Sequence, residues 1–209
     1  MVITYDGVEA VKITKGDTTI AFNPSSKESK FSGTSFGSDV VLVTNNHPDM
    51  NGVEIASRGD EEPFALKGPG EYEVGGLFIL GFASETEYGG EKKVNTIYTV
   101  RIDGVEVGFL GALSNTEVSS EAKEALAETD ILFVPIGGDG VLEATPAYKF
   151  AVKNSPKIII PIHYDKVGQK DALKVFLQEG GQEGIKVVDK LTVKKKDIEL
   201  KTGEIVVLK

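Results

Sequence analysis

The sequence predicts an α/β protein whose helices cover the faces of large, mostly mixed β-sheets. Two patterns predict this class: segments typical of strands fill the first half of the chain, and strands alternate with amphipathic helices in the second half. The third observation is size, because 209 residues with 40% apolar and 26% charged side chains are sufficient for one sizeable core. No repeat and no central linker divides the chain, so we predict a single domain over residues 1–209.

The first half contains apolar runs bounded by turn residues. They predict strands at Val2–Tyr5, Ala10–Thr14, Thr18–Phe22, Asp39–Thr44, Leu77–Phe82, Asn95–Ile102 and Val105–Leu110. Asp39–Thr44 is apolar almost throughout, which is typical of a strand buried on both faces. Asp103-Gly104 is the strongest hairpin signal, because a type I′ turn needs positive φ at both central positions. Ser25–Ser38 is rich in Ser, Gly and Lys and predicts a loop.

The second half alternates helix and strand. Three helices are predicted, from Ser119 or Ser120 to about Glu128, from Thr145 to about Asn154, and from Gln169 to Glu179. Thr145 is expected to cap the second helix because Pro146 follows it, and Gly180 is expected to end the third. The strands Ile131–Ile136 and Lys157–Ile162 separate the helices, and the tail Ile185–Lys209 is predicted to return to β structure.

Composition excludes several classes of function. The net charge of −9 opposes binding to phosphate backbones, so we expect no nucleic-acid partner. The absence of cysteine removes disulfides, iron–sulfur clusters and thiolate zinc sites. The first residues lack the basic start and apolar run of a signal peptide, and no apolar run is long enough to span a bilayer. We therefore expect a cytoplasmic protein that does not enter a membrane.

The two histidines of the chain both follow buried strands. His47 comes after Val41-Leu42-Val43-Thr44, and His163 ends the apolar run that begins at Lys157. In α/β proteins, sites commonly lie beyond the carboxyl ends of such strands. The ordinary explanation of each single histidine is a loop residue hydrogen-bonded to backbone.

The segment Val41–Asn51 resembles the metal-binding loop of the metallo-β-lactamase superfamily, which reads Thr-His-x-His-x-Asp-His after a buried strand. Other segments resemble the bacterial branch of predicted zinc-dependent hydrolases, in order along the chain: Lys67–Val74, Asn95–Tyr98, Asp103-Gly104, Phe109–Gly111, Val134–Gly138 and Pro156–Tyr164. The resemblance covers nearly the whole chain. It implies a four-layer αββα sandwich with metal ions at one edge of the two sheets.

Carried over position by position, the resemblance leaves a remnant of the family's metal site. It implies that His47, Asp49 and His163 occupy ligand positions. Three other ligand positions hold Asn45, Met50 and Ala112. A further histidine position near Ala83–Thr86 has no histidine, and Asn23 stands for the aspartate of an Asp-Pro pair.

The replacements would weaken a dinuclear centre. Two zinc ions each need about four ligands, and a bridging carboxylate offsets the repulsion between them. Alanine at position 112 cannot bridge, and the thioether of Met50 is a poor zinc ligand among oxygen and nitrogen donors. The surviving residues also belong to different metals of the family site, so neither metal keeps a full ligand set.

Three hypotheses follow. The first is a diverged hydrolase homologue that lacks the dinuclear zinc site and acts as a non-hydrolytic binding or scaffold protein. The second is a metal-dependent hydrolase with one ion on His47, Asp49, His163 and waters, acting on an unknown small molecule. The third is new chemistry in the old cleft, for example an acid–base pair of His47 and Asp49 beside Ser84 or Thr86 as nucleophile. Structural roles are the expected ones for both hydroxyls.

These hypotheses fix the expectations for cofactors and partners. We expect no cofactor, or a single weakly held zinc or other divalent ion, and we assign no catalytic residue. The partner is a small molecule or a protein of unspecified identity. A binding role in the cleft would require open space beside Met50 and Ala112. Edge strands are compatible with a homodimer.

Overall fold

The computed structural model describes residues 1–31 and 33–209, and the backbone forms two β-sheets. Ser32, within the predicted loop Ser25–Ser38, lies outside the described residues. The strands of the described chain are β1 Val2–Tyr5, β2 Val11–Lys15, β3 Thr18–Phe22, β4 Val40–Leu42, β5 Phe64–Leu66, β6 Gly70–Val74, β7 Leu77–Thr86, β8 Lys93–Ile102, β9 Val105–Phe109, β10 Ile131–Pro135, β11 Ile158–Ile162, β12 Leu191–Thr192 and β13 Glu204–Ile205.

Both sheets are mixed. The first has the order β12-β1-β2-β3-β4-β5, and the second has the order β13-β11-β10-β9-β8-β7-β6. In the first sheet β3, β4 and β5 are parallel, and in the second sheet β9, β10, β11 and β13 are parallel. The parallel strands β4, β10 and β11 are buried along their whole length, as expected where both faces are covered.

The core lies between the two sheets and joins them. The ring of Phe22 in β3 stacks on Phe109 in β9 with centroids 4.7 Å apart, and Phe109 contacts Phe133 in β10. Because side chains alternate across a strand, the neighbouring residues Ala21 and Val41 point to the opposite face of the first sheet, in a separate apolar cluster. The two sheets therefore pack face to face as a sandwich, which confirms the predicted fold class.

The helices are unequally distributed over the outer faces. Helices α1 (Ser120–Ala127) and α2 (Ala144–Lys153) contact strands β8 and β10 of the second sheet, and α3 (Ala172–Glu179) packs beside α2. The first sheet is covered by a 3-10 helix, Val53–Ala56, together with Phe36 from the preceding loop. A short helix, α4, spans Lys195–Ile198. No helix in residues 1–31 and 33–209 has the length and apolar character needed to cross a bilayer.

Several local predictions are confirmed by the backbone. Asp103 and Gly104 have φ values of 54° and 72° in the turn between β8 and β9, as a type I′ hairpin requires. The hydroxyl of Ser119 accepts the backbone N–H of Ala122 at 3.1 Å and so caps α1. Strand β7 extends to Thr86, four residues beyond its predicted end.

Two local predictions are wrong. Helix α2 begins at Ala144 after Glu143, which forms no side-chain capping bond, so Thr145 lies inside the helix. The Thr145 hydroxyl donates to Glu179 of α3 instead, at 2.8 Å, and tertiary contact thereby replaces the expected cap. The tail is only partly β: β12 and β13 are two residues each, with α4 between them, because few apolar residues there alternate.

Candidate functional site

The candidate site lies at one edge of the sandwich, where loops from both sheets meet. His47 and Asp49 follow β4 in the first sheet, and His163 follows β11 in the second. The connection between β7 and β8, residues 87–92, brings Tyr88 into the same place. The carboxyl ends of β4 and β11 therefore position both histidines, as the sequence predicts.

The side chain of Tyr88 contacts both histidines. Its ring centroid is 4.8 Å from that of His47 and 4.9 Å from that of His163, with edge-to-face geometry in both pairs. Its hydroxyl donates to Asp49 Oδ2 at 2.7 Å. Burial, this hydrogen bond and the negative charges of Asp49 and Glu9 raise the pKa of the Tyr88 hydroxyl well above its ordinary value, so the phenol stays protonated and donates.

His47 and Asp49 contact each other through the loop that carries them. The backbone N–H of Asp49 donates to His47 Nδ1 at 3.2 Å, and this nitrogen is 3.6 Å from Asp49 Oδ2. The second carboxylate oxygen of Asp49 accepts the hydroxyl of Ser29. Both oxygens of Asp49 are thus engaged by uncharged hydroxyl donors, Ser29 and Tyr88.

His163 is paired with Glu9, a residue that the sequence analysis did not select. Both side chains are fully buried, and His163 Nδ1 lies 2.9 Å from Glu9 Oε1. The other Glu9 oxygen accepts from Asn23 Nδ2 at 2.7 Å. The remaining ring nitrogen of His163, Nε2, is buried and has no hydrogen-bond partner in the described residues. Glu9 therefore holds His163 in a fixed orientation, as carboxylates hold metal-ligating histidines.

Three residues around Glu9 have backbone conformations that residues other than glycine rarely adopt. Val8, Asn23 and His163 have φ values of 53°, 44° and 59°, in the left-handed region that favours glycine. The backbone N–H of His163 donates to the carbonyl of Val8 at 2.6 Å. Each such residue costs on the order of 1–3 kcal/mol, so the surrounding contacts must be strong enough to hold this arrangement.

The residues at the other family ligand positions are packed rather than open to solvent. Met50 and Ala112 are fully buried and form an apolar cluster with Val141, against which Tyr88 packs. Asn45 is buried, its amide nitrogen donates to the carbonyl of Val94 at a long 3.4 Å, and its carbonyl oxygen has no partner among the described residues.

Uncharged groups form hydrogen bonds next to these residues, within the second sheet and across to the first. Asn95 of β8 donates to the carbonyl of Leu110 at 2.9 Å and accepts the N–H of Ala112 at 3.0 Å. Across the interface, the N–H of Thr96 donates to the carbonyl of Thr44 at 2.9 Å. Backbone and amide hydrogen bonds therefore join the sheets at this edge.

The two hydroxyls proposed as nucleophiles have structural partners. Ser84 Oγ donates to the carbonyl of Asn95 at 3.2 Å, and Thr86 Oγ1 accepts the N–H of Tyr88 at 3.1 Å. Neither is recorded in a hydrogen bond with His47 within the described chain. These contacts match the structural roles expected for both residues.

The structure thus brings His47, Asp49 and His163 around one aromatic ring, without bringing them together as a ligand set. Within residues 1–31 and 33–209, no group of three or more His, Asp or Glu side chains is arranged to hold a metal ion. The sequence analysis did not identify Glu9 or Tyr88 as site residues. Two signals were available in the sequence. Glu9 is a charged residue inside an apolar turn segment, and Tyr88 is an aromatic residue in the otherwise polar and glycine-rich connection at 87–92.

Comparisons with known proteins agree with this architecture. A family model described as the beta-lactamase superfamily domain matches residues 2–163. A relative from Natranaerobius thermophilus, named a UPF0173 metal-dependent hydrolase, is 24% identical, with 79% of this chain and 84% of the relative covered.

Solved structures are similar over nearly the full length. One, from Thermotoga maritima, is assigned to the Zn-dependent hydrolases of the metallo-β-lactamase superfamily; it has 25% identity and a TM-score of 0.74, over 99% of this chain and 97% of the other. Another, a protein of Parabacteroides distasonis named as a metal-dependent hydrolase, has 18% identity and a TM-score of 0.68, over 99% and 93%. The second shares the fold.

Proposed function

This chain belongs to the beta-lactamase superfamily, and from that premise we propose that it is a non-hydrolytic member whose ancestral metal cleft is closed by its own Tyr88. It would act as a binding or scaffold protein. The observation that carries this proposal is the position of the Tyr88 side chain, which donates to Asp49 and packs edge-to-face against both His47 and His163.

The residues at this edge do not fit a dinuclear metal centre. Two ions need about four ligands each, with a position left open for water. Here Met50 and Ala112 supply no oxygen or nitrogen donor from their side chains, and Asp49 already accepts two hydroxyl hydrogen bonds. A carboxylate that is satisfied by hydroxyl donors also needs no cation to offset its burial.

The same packing argues against a small-molecule ligand in the old cleft. A ligand there would need space beside Met50 and Ala112, and both side chains are fully buried against Val141 and Tyr88. The binding role is therefore assigned to another surface of the fold.

Metal analysis tests the proposal. Wild-type protein purified without chelator is expected to contain far less than one equivalent of zinc, manganese or iron per chain, and to gain none after incubation with ZnCl₂. Tyr88→Ala is expected to take up more metal than the wild type, because the side chain that contacts His47, Asp49 and His163 is then gone and these donors are free to approach one ion. Tyr72→Ala, which removes a half-buried tyrosine elsewhere, is the matched control and is expected to match the wild type.

About two zinc or iron ions per wild-type chain would overturn the non-hydrolytic assignment. Equal metal content in Tyr88→Ala and Tyr72→Ala would contradict the role given to Tyr88. Both experiments, on the wild type and on the variants, measure metal content directly, so neither requires a substrate.

A second candidate function rests on one specific observation: Nε2 of His163 has no hydrogen-bond partner in the part of the chain that the structure describes. A metal-dependent hydrolase with a single ion would use that nitrogen, with Glu9 fixing the ring behind it. It predicts about one bound ion in the wild type, and His163→Ala should lower metal content and the melting temperature together. A wild-type protein without metal excludes it.

A further inference from the structure

Three adjacent pockets form a groove that runs from the helical face of the second sheet to the β7–β8 connection that carries Tyr88. Its first part is a pocket of about 470 Å³ between α1 and α2, with apolar walls that include Ala127, Pro146 and Phe150. This volume lies within the range of pockets that bind ligands or peptide side chains.

This first part is positively charged. Lys123 on α1 faces Lys149 and Lys153 on α2, and one acidic residue, Glu117, also lines it. None of the three lysines forms an ion pair within 4.0 Å in the part of the chain that the structure describes. Lys149 and Lys153 are one helical turn apart, where like charges repel. A cluster of unpaired cations on a chain of net charge −9 is a surface suited to an anionic partner.

The groove continues toward the Tyr88 loop with the opposite charge. A second pocket of about 410 Å³ shares the walls Thr116 and Pro146 with the first. Its charged lining residues are all carboxylates: Glu87, Asp139 and Glu143. A third pocket of about 400 Å³ shares Glu87, Asp139 and Gly140 with the second and reaches Gly90, two residues beyond Tyr88. Lys92 lies 3.8 Å from Glu87 and offsets part of this charge.

We propose that this continuous groove binds an extended peptide segment of a partner protein, with its acidic residues between α1 and α2 and its basic residues at the carboxylate end. A small anion would use only the lysine end. A nucleic acid would be repelled by the carboxylates at the other end. An extended peptide with segregated charge is complementary to both ends and can place apolar side chains against Phe150 and Pro146.

The proposal goes beyond the closed cleft, although the carboxylate end of the groove adjoins it through Glu87 and Val141. The lysine end belongs to α1, α2 and the connections beside them, and no groove residue is a family ligand position. Metal content in the wild type and peptide binding in the groove are therefore separate measurements with separate outcomes.

The test uses a fluorescein-labelled synthetic peptide with glutamates at one end, lysines at the other and a glycine–serine centre. We expect saturable anisotropy with the full-length wild type. The double variant Lys149→Glu/Lys153→Glu should weaken binding by about tenfold or more, and Asp139→Lys/Glu143→Lys should weaken it similarly. Lys186→Glu/Lys190→Glu changes the net charge equally at exposed lysines elsewhere and should change binding less than about twofold. Circular dichroism verifies folding of each variant.

A peptide of the same composition with scrambled order is the second control, and it should bind clearly more weakly. Equal binding of the scrambled peptide, or equal loss in the Lys186→Glu/Lys190→Glu control, would overturn the proposal. So would the absence of saturable binding to the wild type. Full displacement of the labelled peptide by inorganic phosphate at matched ionic strength would also overturn it, in favour of a small-anion site.

Discussion

The residues on the two sides of the Tyr88 ring are buried to different extents. On one side, His47 and Asp49 lie on a loop and keep side-chain exposures of 24% and 10%. On the other side, His163 and Glu9 are fully buried and contact strained backbone. This edge therefore has a partly exposed part, which Tyr88 contacts, and a buried polar part, which belongs to the core.

The two sides differ because the carboxyl group of Asp49 lies near solvent, whereas that of Glu9 is fully buried. Asp49 accepts hydrogen bonds near the surface, where water and loop movement can compensate for a lost partner. The Glu9 side chain has no access to solvent, so its carboxyl oxygens depend on Asn23 and His163 for their hydrogen bonds. We expect mutations on the Glu9 side to affect stability, and mutations on the Tyr88 side to affect mainly the access to the cleft.

The largest effect is expected for Glu9→Ala. This change leaves His163 Nδ1 and Asn23 with missing partners in a buried site, and we expect it to lower the free energy of unfolding by about 3 kcal/mol or more. Glu9→Gln, which keeps the side-chain volume and one acceptor, should lose less. Urea unfolding measures both. Glu91→Ala, at an exposed glutamate, is the control and should change stability by less than about 0.5 kcal/mol. A loss below about 1 kcal/mol for Glu9→Ala would remove the contrast between the two sides.

A smaller loss is expected for Tyr88. Tyr88→Phe removes one hydrogen bond to Asp49 and should lower the free energy of unfolding by about 1 kcal/mol. Tyr88→Ala also removes the ring contacts with both histidines and should lower it by about 2 kcal/mol. Phe78→Ala, at a ring that is 52% exposed, provides the aromatic control in the same urea experiment. If Tyr88→Ala were more destabilising than Glu9→Ala, the assignment of the buried side to the core would be wrong.

Local patterns predicted most of the fold because they report local preferences. The type I′ turn at Asp103-Gly104 and the cap at Ser119 depend on the residues themselves and their near neighbours. The expected cap at Thr145 failed because its hydroxyl found a partner in α3, which sequence proximity does not reveal.

The sequence predicted only part of the candidate site, because the other part depends on contacts between residues far apart in the chain. Apolar strands that end at His47 and His163 placed both histidines at one edge. The residues that determine the state of that edge contact it across long separations, 39 residues from Asp49 to Tyr88 and 154 from Glu9 to His163. Nothing local distinguishes a tyrosine that fills a cleft from a tyrosine on a solvated loop.

The smallest effect is expected at Asn45, a family ligand position that is buried where the first sheet meets the second. Its amide makes one long hydrogen bond of 3.4 Å, and its carbonyl oxygen has no partner in residues 1–31 and 33–209. Asn45→Ala loses the weak bond but also removes the cost of a buried acceptor without a donor, so these contributions offset each other. We expect the free energy of unfolding to change by less than about 1 kcal/mol.

Asn95→Ala is the matched comparison, because that buried amide forms hydrogen bonds of 2.9, 2.9 and 3.0 Å. It should cost about 3 kcal/mol in the same urea titration, since three partners are left without their contact. An equal loss for Asn45→Ala would mean that its oxygen has a partner in solution. Repeating the titration with ZnCl₂ then identifies that partner: stabilisation that Asn45→Ala abolishes would indicate an ion, and would favour the single-metal hydrolase over the closed cleft.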